Sequence, residues 1–476
     1  MRRILFVCSL FSSLLCSDSL LAQQKQRLVV LSDIEAEVDD TESFIRLLLY
    51  SNQIDLKGLI ATTSVWKKTS VSPGAIRKLI DAFRKVQPNL LKHESGFPPA
   101  NALLTLVKQG LPIYGMAGVG KGKDSEGSDW IIKLLEDHDE RPLWVSVWGG
   151  ANTLAQALYK MQQTKPASEA KRLVAKLRVY TISDQDDSGI WMRNTFPDLF
   201  YIVSPGDNYG IATWSAINSF IKGINNEKIS NTWLMQNIQQ GHGPLGAEYP
   251  DVAYGMEGDT PSFLSLIPNG LNVPEHPEWG GWGGRYELYK PDFEPAKKGG
   301  SGVPFEPEKR PIWTNIVDSF TPFVYSDYNR TLKLDTLSFH DNKVTLWRWR
   351  DDFQNDFAAR MDWCTKSYSQ ANHPPVPVLA GSNQIDVRSG EWFGLDAANS
   401  YDPDGDNLSF LWFSYPEAGT YNKPLITVVE NSHKIYLLAP KVEKKETAHI
   451  ILRVTDKGTP ALTRYKRIIV NLLPSS

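Results

Sequence analysis

An α/β fold, with a mainly parallel sheet flanked by helices, followed by a C-terminal all-β immunoglobulin-like sandwich, is predicted for this chain by three observations. Strand-like and helix-like runs alternate through the first part of the chain. An acidic loop separates the first strand from the first helix. Near Asn372 the helical spacing gives way to short strand-like runs punctuated by turn signals.

Arg27 to Leu31 is a β-branched run ending at Ser32-Asp33, and Ser43 to Tyr50 has helical character, so the acidic stretch between them is a strand-to-helix loop. Leu56 to Thr63 reads as a second buried strand. Pro73 to Val86 places Ile76, Leu79, Ile80 and Phe83 at helical spacing. The alternation continues with a helix over Trp130 to Leu135, a strand over Leu143 to Trp148, a helix over Thr153 to Met161 and a strand over Leu177 to Ile182. Such an order predicts a parallel sheet with helices on both faces, and a ligand site at the carboxyl ends of its strands.

Beyond Ser204 the chain turns aromatic and rich in Gly and Pro, as in Trp279-Gly280-Gly281-Trp282-Gly283-Gly284, and reads as long loops with a few helices. His373-Pro374-Pro375-Val376-Pro377 reads as a linker. The runs Leu408 to Phe413, Lys434 to Leu438 and Ile450 to Val454 then predict the sandwich. The expected division is a signal peptide over 1–22, an α/β domain over 23–371 and the sandwich over 372–476.

The 476 residues carry 54 acidic and 51 basic side chains, a formal charge of -3. That near balance lacks the basic footprint of a nucleic-acid binder. Met1-Arg2-Arg3, the apolar run Ile4 to Leu15 and the small residues up to Ala22 form the pattern of a secretory signal, predicting cleavage near Ala22 and export to the periplasm or outside. A lipoprotein signal using Cys16 is the alternative, disfavoured by Leu15 in front of it. No later run of ~18 apolar residues predicts a transmembrane segment. Cleavage leaves Cys364 as the one cysteine, so neither a disulfide within the chain nor a Cys-based metal site is expected. Oligomeric state has no signature in the sequence.

Asp33-Ile34-Glu35-Ala36-Glu37-Val38-Asp39-Asp40 packs five carboxylates into eight residues. Crowded like charges raise one another's pKa unless a cation or separate hydrogen bonds neutralise them. A hard divalent cation such as Ca2+ takes ~6–8 oxygen ligands, so acids distant in sequence are expected to complete its shell. The plain alternative is a solvated loop with Asp39 and Asp40 favouring a helix N-terminus.

This loop resembles the N-terminal Asp-x-Asp-x-x-x-Asp-Asp motif of the nucleoside hydrolase superfamily, with Glu35 in place of the second Asp. From Asp33 through Tyr50 the chain is similar to an exported bacterial branch labelled cellulose-binding or nucleoside-hydrolase-like. Trp148-Gly149-Gly150-Ala151-Asn152, Ser183-Asp184-Gln185-Asp186-Asp187 and Glu257-Gly258-Asp259-Thr260-Pro261 resemble its other motifs. The resemblance implies a Ca2+-dependent hydrolase acting on glycosyl bonds, with Glu35 as base toward a metal-bound water and Asp39 on a sugar hydroxyl. It further implies Asp33, Glu35, Asp40, the Trp148 carbonyl and Asp259 as metal ligands.

Asp184, Gln185, Asp186, Asp187, Arg193 and Glu257 are candidates for substrate binding, with Trp279 and Trp282 as a mobile, glycine-flanked lid that stacks on sugar rings. The competing readings are a surface turn for the acids, an ion pair for Arg193 and loop packing for the two indoles. The chain departs from the superfamily where Gly258 replaces a His and where Thr62-Thr63-Ser64 replaces an Asn. Both changes direct the expectation toward another sugar or an aglycone as leaving group, in a furanosyl N- or O-glycoside. His242 is a further candidate acid. Asp402, Asp404 and Asp406 resemble a cadherin-type Ca2+ turn, or simply cap a turn. The expected partners are a carbohydrate or nucleoside-like small substrate and, through the sandwich, polysaccharide. A binding protein without turnover remains the alternative.

Overall fold

Residues 24–206, 208–292, 302, 305–326 and 331–475 are described by the computed structural model of the protein. The expected signal peptide and Cys16 lie outside the described residues. The main sheet has eight strands, β1 (Arg27–Ser32), β2 (Asp55–Ala61), β3 (Val107–Gln109), β4 (Leu143–Val147), β5 (Leu177–Ser183), β6 (Phe200–Ser204), β7 (Tyr286–Tyr289) and β8 (Ile312–Asn315), in the order β3-β2-β1-β4-β5-β6-β8-β7. All neighbours are parallel except β7 with β8. β7 and β8 fall in the stretch read from sequence as loops and helices, because four-residue strands carry too little alternation to be seen.

The helices between β1 and β6 are α1 (Asp39–Leu49), α2 (Pro73–His93), α3 (Ala100–Thr105), α4 (Glu126–Glu136), α5 (Asn152–Thr164), α6 (Ala167–Ala175) and α7 (Ser188–Thr195). Alternation along β1 explains why helices cover both faces. Leu28 and Val30 join α1 and α2 through Phe44, Leu48, Ile80 and Phe83. Val29 and Leu31 join α4 and α5 through Ile131, Leu135, Leu154 and Leu158. Each such side chain contributes roughly 1.5–3 kcal/mol by leaving water. α1 starts at Asp39, four residues before the predicted start, because Asp39, Asp40 and Glu42 favour its first turn.

A later helix, Arg350–Asp362, packs on α1. Arg46 donates to the Phe353 carbonyl (3.2 Å) and lies 4.0 Å over the Phe357 ring, while the Tyr50 hydroxyl donates to Asp356 (2.5 Å). Before it, a ribbon folds back on itself, β9 (Asp318–Phe320) pairing with β12 (Phe339–Asp341) and β10 (Phe323–Tyr325) with β11 (Leu332–Leu334).

The C-terminal strands are β13 (Gln384–Arg388), β14 (Trp392–Asp396), β15 (Ser409–Ser414), β16 (Val429–Glu430), β17 (Lys434–Leu438), β18 (Glu446–Thr455) and β19 (Thr463–Leu473). They form a five-stranded sheet, β13-β19-β18-β15-β16, and a two-stranded one, β14-β17, sharing a core of Leu395, Trp412, Ile435, Ile450, Leu452 and Ile468. The sandwich is not held by a linker alone. Phe413, Tyr415, Ile451 and Tyr465 join the core of the α/β domain, and the His373 ring is buried 3.8 Å from the Tyr368 ring.

Candidate metal centre

β1, β2, β4 and β5 end level with one another. Ser32 pairs with Ala61, Leu31 with Val147, and Val147 with Thr181. Parallel pairing therefore sends the loops 33–38, 62–67, 148–151 and 184–187 out of the same sheet edge, and the acidic loop stands among them.

Asp39, Asp40 and Asp259 each bring a carboxylate oxygen into a cluster whose atoms all lie within 4.8 Å of one another. Asp33, buried at the end of β1, adds a fourth charge acting on both Asp40 and Asp259. Asp33 is seated against Gly149, where a methyl group would stand 2.6 Å from its Oδ1. Asp40 accepts from the Ser32 hydroxyl. Asp259 is positioned through Glu257, whose backbone adopts a φ of 50°. The Glu257 N–H donates to Glu42 Oε2 (2.7 Å), and its carboxylate pairs with Arg46 (2.5 Å) and accepts from the Tyr249 hydroxyl (2.9 Å). Burial, then the charge of Glu257, pushes the Glu42 carboxyl up to about 9, so it stays protonated at neutral pH.

The electrostatics follow from this crowding. Burial first, then Glu37 and Asp33, pushes Asp39 up to about 7. Burial and the neighbouring carboxylates hold Asp40 and Asp259 well above the usual carboxylate range. Lys67, on the loop 62–67, touches the acidic loop, donating to the Ile34 carbonyl (2.6 Å) and lying 3.5 Å from Glu35 Oε2. Its charge lowers Asp33 but does not neutralise the cluster. Asp259 Oδ2 is buried with no hydrogen-bond partner. Oxygen-only donors, uncompensated negative charge and an orphaned carboxylate oxygen together suit a hard divalent cation of the Ca2+ class.

Glu35 stands apart from these acids. Its side chain is 60% exposed beside Lys67, and its backbone is left-handed, φ 75°. Such strain in a non-glycine residue clusters at functional sites. The Trp148 carbonyl accepts from the Gln185 side-chain amide (2.6 Å), whose own Oε1 is buried without a partner. The Trp148 indole lies beneath, donating to Ser146 and Ser262.

The remaining sequence candidates are engaged inside the protein. Asp186 accepts from the backbone of Ser188 (2.9 Å) and Asn152 (3.2 Å), and Asp187 from that of Met116 (2.7 Å). Arg193, 2% exposed, holds Asp184 through two 2.8 Å bonds and Glu308 through another at 2.8 Å, which makes it the ion-pair residue of the two readings. Trp282 is wholly buried, 3.4 Å from the Tyr465 hydroxyl, and Trp279 is half-buried, stacked 3.9 Å from His276. Neither indole stands clear as a lid. Their glycines admit close neighbours, since a methyl on Gly281 would stand 2.2 Å from Asn272 Oδ1. His242 is the exception, buried 3.6 Å from Asp362 with neither ring nitrogen hydrogen-bonded. In the sandwich turn, Asp402 accepts from the backbone of Asp404 and Asp406, and Asp404 holds His373.

Sequence reasoning missed Lys67, Glu42 and Arg46 as supports of the site. Lys67 had one available signal, its place just past the end of β2. Glu42 and Arg46 lie one helical turn apart on α1, which gives no hint that Glu257 lies between them.

The family model described as "Cellulose-binding Sde182, nucleoside hydrolase-like domain" matches residues 27–286, which hold every acid of this cluster. The chain belongs to this family. A second model, "Cellulose-binding protein Sde0182, C-terminal domain", matches residues 392–472 of the sandwich. Among solved structures, a nucleoside hydrolase-related hypothetical protein from Saccharophagus degradans, described as associated with carbohydrate metabolism, is 33% identical with a TM-score of 0.77. The alignment covers 94% of this chain and 100% of that one. The effector protein XOO4466 is 10% identical, with 61% of this chain and 87% of that one covered, and its TM-score of 0.29 supports no comparison. No curated protein matches the chain. The Sde182-family α/β domain thus has the nucleoside-hydrolase-like fold, and no helix among the described residues is long and apolar enough to cross a membrane.

Proposed function

We propose that this protein is an exported, Ca2+-dependent glycoside hydrolase that cleaves a furanosyl N- or O-glycosidic bond. The observation that carries the reading is the convergence of Asp39, Asp40 and Asp259 within 4.8 Å, with Asp259 Oδ2 unpartnered. Asp40 and Asp259 would hold the cation, with Asp33, Asp39 and the Trp148 carbonyl around it. When bound, a divalent cation there supplies Lewis acidity and a grip on sugar hydroxyls. Glu35, the open carboxylate of the loop, takes the proton of the attacking water as its oxygen bonds to the anomeric carbon through an oxocarbenium-like transition state, while the leaving group departs with the electron pair of the broken bond and takes a proton from solvent. Asp39 orients a hydroxyl of the sugar. The test is reducing-sugar release by the mature protein from ribosides, arabinofuranosides and plant oligosaccharides, with Ca2+, with chelator and with Asp40→Asn. Release that needs both Ca2+ and Asp40 is expected. No release on any substrate, with Ca2+ binding intact, would overturn it.

A second reading, a carbohydrate-binding protein without turnover, is favoured by the engagement of Asp184, Asp186, Asp187 and Arg193 in internal contacts. On either reading the sandwich attaches to polysaccharide. Trp392 and Tyr436 are 71% and 64% exposed on the solvent face of the β14–β17 pair. The Tyr436 ring lies over Gly394, where a methyl group would stand 3.0 Å from it. Flat rings on an open sheet face suit the faces of sugar rings.

A further inference from the structure

Where the two domains meet, a cavity of about 610 Å³ lies between the β9–β12 ribbon, the start of the Arg350–Asp362 helix and strands β15, β16 and β18. No acid of the metal centre lines it. Its volume falls in the range of small-molecule sites, roughly 300–1,000 Å³.

The wall combines aromatic faces, Phe320, Tyr325 and Phe410, with charged groups of both signs. Arg348, Arg350 and Arg453 stand against Asp335, Asp351, Asp352 and Glu430, so neither a phosphate nor a polycation is favoured. The charged side chains offer both donors and acceptors beside the aromatic rings, so a ligand of hydroxyl groups is preferred over a purely apolar one. The Arg348 guanidinium is held flat by rings, 4.3 Å from the centre of Phe320 and 4.6 Å from that of Tyr415, and so is oriented before any ligand arrives.

We propose that this cavity is a second carbohydrate site, distinct from the metal centre, for an uncharged unit of an oligosaccharide. The charged groups of the wall meet its hydroxyls, and Tyr325 and Phe410 lie against its ring faces. The bound sugar touches both domains. The proposal rests on the carbohydrate reading above but not on turnover.

The experiment is calorimetric titration of the full mature chain with soluble neutral hexasaccharides of glucose, xylose and arabinose, with oligogalacturonate and a neutral peptide as controls. Tyr325, 60% exposed, can be truncated without opening the core. Tyr325→Ala and Phe410→Ala, each confirmed as folded by an unchanged melting temperature, are expected to weaken binding of the best neutral sugar by roughly tenfold or more. Lys171→Ala, an exposed change away from the cavity, the metal centre and the β14–β17 face, is expected to leave that binding in place. Equal binding by the cavity variants, or an equal loss in Lys171→Ala, overturns the proposal. So does preference for oligogalacturonate or peptide. Wild-type protein that binds no soluble neutral sugar overturns it too, while hydrolysis in the separate release assay would leave the proposed activity standing.

Discussion

The α-carbon of Gly258 packs against the carboxylate of Asp39, so that a methyl group there would stand 2.7 Å from Asp39 Oδ2 and 3.2 Å from the Trp214 ring. The resembling superfamily carries a His at this position, and here no room is left for one. Gly258→Ala is therefore expected to displace Asp39 and to weaken Ca2+ binding by about 10–100-fold, the usual cost of disturbing groups that orient a metal's ligands. Calorimetric titration with Ca2+ checks this. An unchanged affinity would separate Asp39 from the cation.

Ca2+ binding to the folded chain alone adds stability by mass action, about 2.7 kcal/mol at one hundred times the dissociation constant. The melting temperature is expected to rise with Ca2+ in the wild type and not in Asp40→Asn. A rise of equal size in both would place the bound ion elsewhere.

Arg193 lies buried between Asp184 and Glu308, 2.8 Å from Asp184 and 2.7 Å from Glu308. Arg193→Met leaves two buried carboxylates without their cation, an expected loss of about 3–5 kcal/mol in denaturant unfolding. A loss of binding without a loss of stability would instead return Arg193 to the substrate.

His449 is buried at the domain junction, 3.1 Å from the Arg467 guanidinium. Burial first, then Arg467 and His276, lowers its pKa from 6.5 to about 3. The unfolded chain takes up this proton as the pH falls through 6.5, whereas the folded chain refuses it until about 3. Stability is therefore lost progressively across that window as the pH falls. His449→Gln removes the titration, and its melting temperature is expected to fall less steeply with acid than that of the wild type.

Trp392→Ala removes an exposed ring without touching the core. It is expected to cut retention on insoluble polysaccharide while leaving the melting temperature unchanged. Full retention would move the attachment surface elsewhere on the protein.

Much of the site was legible in the sequence because it is local. The loop from Asp33 to Asp40 is contiguous, and the end of a parallel strand places it at the edge where ligands bind. Asp259 was legible only through resemblance, since 219 positions in the sequence separate it from Asp40 and no periodicity links them. The Trp279–Trp282 stretch was misleading for a physical reason. Glycines beside an indole serve equally to clear space for an exposed ring or to let neighbours close over a buried one.

By itself the sequence determined the α/β order, the acidic loop and its edge, because hydrophobic period and turn chemistry are short-range properties. Only the tertiary structure decided which charged groups remain free. Arg193 found Glu308, Trp282 found Tyr465 and Arg46 found Glu257, across separations of 115, 183 and 211 residues. Burial makes a partner obligatory for a charged or polar group, but the partner is chosen by how the sheet, the ribbon and the sandwich pack together.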